Sequence, residues 1–207
     1  MGNLIAKHRS IWGDDPSSLL QSYTVYPGLT GKLDRLKGST LNRETLYEIV
    51  LWKLGRFPEV EDSLIEDLKT VSKLEPKGHM KARDLISRLL RSPGIALPMA
   101  STILRFLNPG TFQIIDERAY RVLFPGKPKY PSKPVNASVE YVNTSIEMYF
   151  QYLDELHRIS SKKLPFEMAD RILYQLDILL GNKLDSTNLA THSTRTRRKR
   201  RAGQRGR

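Results

Sequence analysis

Apolar residues recur at intervals of three and four along most of this chain, and this spacing restricts the fold more than any other feature of the sequence. It is clearest in residues 82–90, 100–107, 138–160 and 166–180. Such spacing places the apolar side chains on one face of a helix, where they can be buried against other helices. We find no segment in which apolar and polar residues alternate convincingly, as they do in a half-buried strand. The sequence therefore predicts an all-α fold.

Residues that favour helix ends mark where some of these helices begin and stop. Asn42 is suited to cap the amino terminus of a helix that closes at Gly55, and Gly181 is suited to follow the last helix. Residues 59–74 predict a further helix. Four prolines lie between 124 and 136. Because proline fixes φ and lacks a backbone donor, this stretch predicts an irregular connection.

The carboxy-terminal end differs in composition from the rest of the chain. Residues 192–207 contain eight Arg or Lys, no acidic residue and no large apolar residue, and without them the net charge of +12 falls to +4. Such a segment cannot bury enough surface to offset the entropy cost of ordering it. We therefore expect one helical domain over 1–186 and a disordered tail over 187–207.

The positive charge of the tail is concentrated in the stretch RTRRKRR. This cluster predicts salt-dependent, sequence-independent affinity for the phosphates of DNA or RNA, or a nuclear import signal if the organism has a nucleus. The predicted nucleic-acid-binding residues of the tail are Arg197, Arg198, Lys199, Arg200 and Arg201.

Missing residue types exclude several kinds of site. The chain has no cysteine, which rules out disulfides, zinc–cysteine sites and iron–sulfur clusters. Its four histidines show no metal-ligand spacing, and we predict no metal and no cofactor. No apolar run is long enough to span a bilayer. We expect a monomer with no membrane partner, located in the cytoplasm with the nucleoid, or in the nucleus of a eukaryote.

The stretch SPGIALPMASTILRFLNPGTFQIIDERAYRVLF, residues 92–124, contains an unusual order of elements. A Pro-Gly turn opens a short apolar helix, and a second turn leads through two isoleucines to Asp116 and another helix. Gly94 can adopt the positive φ that a tight turn needs, and the helix after it would attract an anion such as a phosphate. On spacing alone, an ordinary helical hairpin is the favoured interpretation.

The order hairpin, loop, apolar pair and aspartate resembles that of the helix-hairpin-helix, Gly/Pro…Asp superfamily of DNA glycosylases, the endonuclease III-like and adenine-glycosylase-like enzymes. Members carry a hairpin of the form LPGVGxxTAxxVL followed by VDTHVxRVxxRL. Here Pro93 and Gly94 match the hairpin opening, Asp116 matches the catalytic aspartate and Arg121 matches the arginine after it. The resemblance covers residues 89–123 and implies a compact, multi-helix glycosylase-like fold.

The resemblance further implies removal of a damaged or mismatched base from double-stranded DNA. Asp116 would stabilise the oxocarbenium-like sugar or activate water during hydrolysis of the N-glycosidic bond. An N-cap is the alternative role for Asp116, since aspartate is common at that position. The implied DNA-binding residues of the body are Pro93, Gly94, Ala96, Pro98, Arg118 and Arg121.

Departures from the family pattern limit the chemistry and leave a second hypothesis open. Pro98 stands where bifunctional members carry a Schiff-base lysine, so a strand-nicking step at that position is excluded and a monofunctional enzyme is implied. Ala96 replaces the second hairpin glycine, and Glu117 and Arg118 replace the usual Thr-His. These changes favour the alternative of a non-catalytic DNA- or RNA-binding protein on the same scaffold.

Two further residues, Tyr120 and Lys53, complete the predicted site, and a third, Asp170, is expected to form a structural ion pair. Tyr120, one helical turn after Asp116, could stack on an extruded base or belong to the core. Lys53, among apolar neighbours, could face the same cleft, or extend to water and complement a helix dipole. Asp170 lies on the apolar face of the last helix and needs a partner there, for which Lys53 and Arg118 are the candidates.

Overall fold

The computed structural model describes residues 7–55, 57–127 and 131–183. Within these ranges all regular structure is helical and no β-strand occurs, which confirms the all-α prediction. No helix in the same ranges combines the length and apolar character that a membrane span requires. The predicted tail over 187–207 lies outside the described residues.

The described residues fall into two compact units, which divide between Phe57 and Pro58. The sequence predicts one helical domain over 1–186, and this range stays a prediction, because its carboxy-terminal limit lies outside the described residues. Lys53 belongs to the first unit, whereas Asp116, Tyr120 and Asp170 belong to the second.

The amino-terminal unit consists of short helices. They are α1 (Arg9–Trp12), α2 (Pro27–Leu33) and α3 (Arg43–Leu54), with 3₁₀ turns at Pro16–Ser22 and Gly38–Thr40. The predicted ends of α3 are confirmed, since the Asn42 side chain accepts from Thr45 N and Gly55 adopts φ of 64°. None of the side chains described in this unit is buried.

The carboxy-terminal unit contains the hydrophobic core. Its helices are α4 (Asp62–Leu68), α5 (Arg83–Arg91), α6 (Leu97–Leu107), α7 (Glu117–Leu123), α8 (Val139–Ile159) and α9 (Ala169–Leu179), with 3₁₀ turns at Lys69–Lys73, Gly78–Ala82 and Phe166–Met168. The helix predicted over 59–74 is thus shorter and ends in a 3₁₀ turn. Those predicted over 138–160 and 166–180 agree closely with α8 and with the last 3₁₀ turn plus α9.

The longest helix, α8, supplies much of this core. Its fully buried side chains include Tyr149, Tyr152, Leu153 and Leu156, which pack in one cluster with Leu89, Leu90, Leu97 and Leu104 of α5 and α6. Full burial of one such aliphatic side chain stabilises a fold by roughly 1.5–3 kcal/mol. The core therefore holds α5, α6 and α8 together, and these helices carry the turn and the segment that define the candidate site.

Candidate nucleic-acid interface and carboxylate site

The turn between α5 and α6 is closed by hydrogen bonds from two sides. Gly94 has φ of 83°, in the left-handed region that favours glycine. Ile95 N donates to Ser92 O at 3.2 Å, and Lys133 Nζ donates to Ser92 O at 2.6 Å and to Ile95 O at 2.7 Å. Burial lowers the pKa of the Lys133 ammonium. A lysine from the proline-rich connection thus binds the turn carbonyls, a role for which the sequence carries no recognisable signal.

The predicted DNA-binding residues of the turn lie at or near the surface. Pro93 and Gly94 are exposed, and Ala96 and Pro98 are half-buried. Ala96 is the N-cap of α6 and Pro98 lies in the first turn, so α6 begins without a side-chain cap. A helix that starts in this way leaves amide donors available to another acceptor.

Ser101 connects the first turn of α6 to the residue before Asp116. Its buried hydroxyl donates to Pro98 O at 2.9 Å and accepts from Ile115 N at 3.2 Å. These two hydrogen bonds fix the backbone next to Asp116 relative to α6. Ser101 is not predictable from the sequence, because a serine in an apolar helix face has no distinctive pattern.

The segment 112–115, which leads to Asp116, has no regular secondary structure and is largely buried. Its backbone polar groups bind side chains of the surrounding helices: Tyr149 Oη donates to Gln113 O at 2.9 Å, and Tyr152 Oη donates to Ile114 O at 2.8 Å. Buried backbone groups need such partners to avoid a desolvation cost of about 1–3 kcal/mol each. The two tyrosines of α8 therefore allow an irregular segment to cross the core.

Asp116 is the N-cap of α7 and is half-buried. Its Oδ1 accepts from Ala119 N at 2.7 Å. Burial raises the pKa of the Asp116 carboxyl above its ordinary value, and the negative charge of Asp170 acts in the same direction. The amides of Ala119 and Arg118 and the Arg118 guanidinium oppose the increase. The carboxylate is thus anchored by its own helix in a partly desolvated position.

The buried Asp170 has a different partner from those expected from the sequence. Arg118 pairs with Asp177 instead, and Arg105 Nε lies 3.7 Å from Asp170 Oδ2, with the Arg105 and Asp170 side chains 8% and 4% exposed. The same Oδ2 accepts from Ile114 N at 3.3 Å. The partner comes from α6, which packs close to the start of α9 but is distant in sequence.

Arg118 and Arg121 both bind the side chain of Asp177, which is fully buried. Arg118 Nη1 donates to Asp177 Oδ2 at 2.7 Å, and Arg121 donates through Nε and Nη2, both at 2.6 Å. Hydrogen bonds from Arg121, followed by those from Asn182 and Arg118, lower the pKa of Asp177 to about 2 against the desolvation of the carboxyl. Asp177 follows Asp170 by seven residues and lies on the same helix face. That spacing was the sequence signal that Asp177 would also be buried and would need a charged partner.

Tyr120 and Lys53 have contrasting environments. Tyr120 is 6% exposed and its ring centroid lies 5.1 Å from that of Phe124, so it presents little ring surface to a ligand in this conformation. Lys53 is exposed in the last turn of α3, where its charge complements the carboxy-terminal end of the helix. Catalytic roles for these residues stay predictions.

Two grooves lie elsewhere on the carboxy-terminal unit. One of about 530 Å³ adjoins the turn and is lined by residues that include Glu59, Glu61, Arg88, Arg91 and Pro93. Another of about 310 Å³ lies near Asp67 and Lys81. Asp116 lines neither of them.

The predicted binding residues of the tail, Arg197, Arg198, Lys199, Arg200 and Arg201, lie outside the described residues. Among the residues that the structure does describe, no three His, Asp or Glu side chains come together as metal ligands. No protein-family model, curated protein or solved structure matches the chain. Over the described residues the chain is all-α, and the resemblance to the glycosylases, which rests on residues 89–123, stays a prediction.

Proposed function

We propose that this protein binds double-stranded DNA and removes a damaged or mismatched base by hydrolysing its N-glycosidic bond. In this proposal the turn at Pro93 and Gly94 and the start of α6 contact the sugar-phosphate backbone. Asp116 acts on the sugar of an extruded nucleotide. The reaction is hydrolytic and leaves an abasic site without cutting the strand, because proline occupies position 98.

The connection between turn and carboxylate is the observation that carries this proposal. Ser101 hydrogen-bonds to both Pro98 O and Ile115 N, so a buried side chain of α6 links that helix directly to the backbone beside Asp116. A carboxylate that stabilises a developing positive charge must be held in place before the reaction. The contacts between α6 and the segment that precedes Asp116 would supply such a fixed position.

The electrostatics of Asp116 support a chemical role beyond capping. Burial and the Asp170 charge raise the pKa of its carboxyl. In a solvated N-cap, the hydrogen bonds from the helix amides would instead lower the pKa. Carboxyl groups with pKa values shifted by burial together with a specific charged neighbour are common at functional sites.

Arg118 and Arg121 are omitted from the proposed interface. Both guanidinium groups bind Asp177, and Arg121 Nη1 also donates to Lys183 O at 3.1 Å. These contacts already use part of each guanidinium group, so the proposal assigns neither side chain to a phosphate. The exposed turn and the basic tail are better candidates for phosphate contacts.

A non-catalytic nucleic-acid-binding protein is the second candidate. One observation favours it, which is that Asp116 Oδ1 already accepts from Ala119 N. In this case the turn and the tail would bind phosphates, and Asp116 would serve only the start of α7.

Excision assays on Asp116→Asn distinguish the two candidates. Oligonucleotide duplexes carrying uracil, an alkylated purine or an oxidised purine are incubated with the protein, and abasic sites are revealed by cleavage in hot alkali. We expect the wild-type protein to process at least one substrate, with a rate reduced about 100-fold or more in Asp116→Asn, because a neutral amide cannot stabilise the developing charge.

The matched control is Asp62→Asn, which removes an exposed carboxylate from the first turn of α4 and should leave excision unchanged. Binding without excision of any substrate by the wild-type protein, with affinity unaffected by Asp116→Asn, would support the second candidate. If the protein bound none of these duplexes, both candidates would be wrong.

A further inference from the structure

We propose that Asp170 is a positioning residue for Asp116, which holds the backbone two residues before it and places a second negative charge near its carboxylate. This inference rests on the proposed function and deepens it, since it names a residue outside the resemblance to the glycosylases. Asp170 does not contact substrate in this proposal, because its side chain is 4% exposed.

Hydrogen bonds at Asp170 fix it between two elements. Its Oδ2 accepts from Ile114 N at 3.3 Å, in the segment that leads to Asp116, and its Oδ1 accepts from Arg171 N at 2.6 Å at the start of α9. A buried carboxylate with backbone donors on both oxygens has a defined orientation. Since Ile114 lies two residues before Asp116, this contact restrains the backbone that leads to the Asp116 carboxylate.

Arg105 compensates the buried charge of Asp170 without neutralising its effect on Asp116. The Arg105 guanidinium approaches from α6, with Nε 3.7 Å from Asp170 Oδ2 and Nη2 donating to Glu167 O at 3.0 Å. Nε itself makes no hydrogen bond within the described residues. The pair is therefore an ion pair at long distance, and the Asp170 charge still acts on Asp116.

The charged and titratable groups that act on Asp116 come from several helices. Asp170 of α9 opposes ionisation of Asp116, whereas Arg118 of α7 favours it. Tyr152 of α8 interacts with both carboxylates, and its neutral hydroxyl donates to Ile114 O. Among these groups Asp170 is the one whose removal should favour the ionised form of Asp116.

The test is a carboxyl titration of Asp116 by ¹³C NMR in the full-length protein. In Asp170→Asn we expect the pKa of Asp116 to move downward, since a nearby negative charge is lost. The control Glu147→Gln removes an exposed carboxylate from α8 and should leave the titration unchanged. Because Asp170→Asn leaves the Arg105 charge unpaired, the double variant Arg105→Gln/Asp170→Asn provides a second measurement, with the same direction expected.

Kinetics on any duplex that the wild-type protein processes give a separate readout. We expect Asp170→Asn to lower kcat on the order of tenfold with little change in KM, because positioning is lost while the DNA-binding surface is intact. The acidic limb of the pH profile should move to lower pH together with the pKa of Asp116.

An unchanged Asp116 titration in both the single and the double variant overturns this inference, as does an unchanged kcat in an active protein. Absence of excision by the wild-type protein would instead contradict the proposed function, and the NMR titration would still decide whether Asp170 acts on Asp116.

Discussion

At the scale of single residues, Asp116 combines two properties: it caps a helix and it carries a carboxyl with a raised pKa. It caps α7 through Ala119 N, and it carries a half-buried carboxyl whose pKa is raised by burial and by Asp170. An N-cap benefits from ionisation because the helix dipole favours negative charge, whereas burial opposes ionisation. The residue thus contributes to stability while its charge remains sensitive to its surroundings.

Two substitutions separate the cap from the charge. Asp116→Ala removes the acceptor for Ala119 N and should lower the free energy of unfolding by roughly 1 kcal/mol, whereas Asp116→Asn retains an acceptor and should have a much smaller effect. Chemical denaturation of the two variants and of the wild-type protein measures the difference. Equal destabilisation by both substitutions would mean that the charge, and not the hydrogen bond, supports the helix.

At the scale of elements, α7 is joined to α9 by charge as well as by apolar packing. Asp177 of α9 receives hydrogen bonds from Arg118 and Arg121, which follow each other by three residues on one face of α7. Side chains at this spacing are neighbours on a helix surface, so one carboxylate can bind both. The ion cluster fixes the short helix that begins at Asp116.

Removal of the Asp177 charge should therefore destabilise the carboxy-terminal unit. Asp177→Asn leaves two arginines without their buried partner, and we expect a loss of roughly 2–4 kcal/mol in the free energy of unfolding at pH 7. Chemical denaturation measures this loss. The exposed control Asp62→Asn should change the free energy of unfolding by less than about 0.5 kcal/mol.

The same cluster predicts a dependence of stability on pH. The pKa of Asp177 is about 2 in the folded protein, below the value of roughly 3.9 expected in the unfolded chain. Its contribution is therefore fully present above about pH 4 and is lost as the pH falls toward about 2. Acid titration of stability should show this loss in the wild-type protein and a smaller one in Asp177→Asn. Parallel curves for the two proteins would contradict the assignment.

At the scale of the whole molecule, positive charge is concentrated at one end of the chain. Residues 192–207 supply eight of the positive charges, and the remaining net charge is +4. Affinity that depends on released counterions falls with salt in proportion to the number of phosphates neutralised. Under the proposed function, residues 192–207 would supply general attraction to phosphates and the carboxy-terminal unit would set the position on the duplex.

Deletion of residues 192–207 tests this division. The truncated protein should bind duplex DNA more weakly, and a plot of log affinity against log salt should have a slope reduced by about 0.9 for each phosphate that the tail neutralises in the full-length protein. Fluorescence anisotropy from about 50 to 200 mM salt measures both effects. A truncated protein with unchanged affinity and slope would show that the tail serves another purpose, such as targeting.

The sequence by itself determined the helical class, because apolar spacing and helix-end residues such as Asn42 and Gly55 act locally. It also indicated the turn at Gly94 and the position of Asp116 at a helix start, where short-range backbone preferences apply. These features depend on residues only a few positions apart.

The tertiary structure alone decided which distant side chains meet. Three sets of contacts join residues that are 38 to 65 positions apart in the chain. They are the ion pair of Asp170 with Arg105, the hydrogen bonds of Arg118 and Arg121 to Asp177, and the binding of Lys133 to the turn carbonyls. A charged residue can find any opposite charge that packing brings close, so its partner follows from how the helices pack and not from local pattern. The environment of Asp116, half-buried and beside a second carboxylate, arose in the same way.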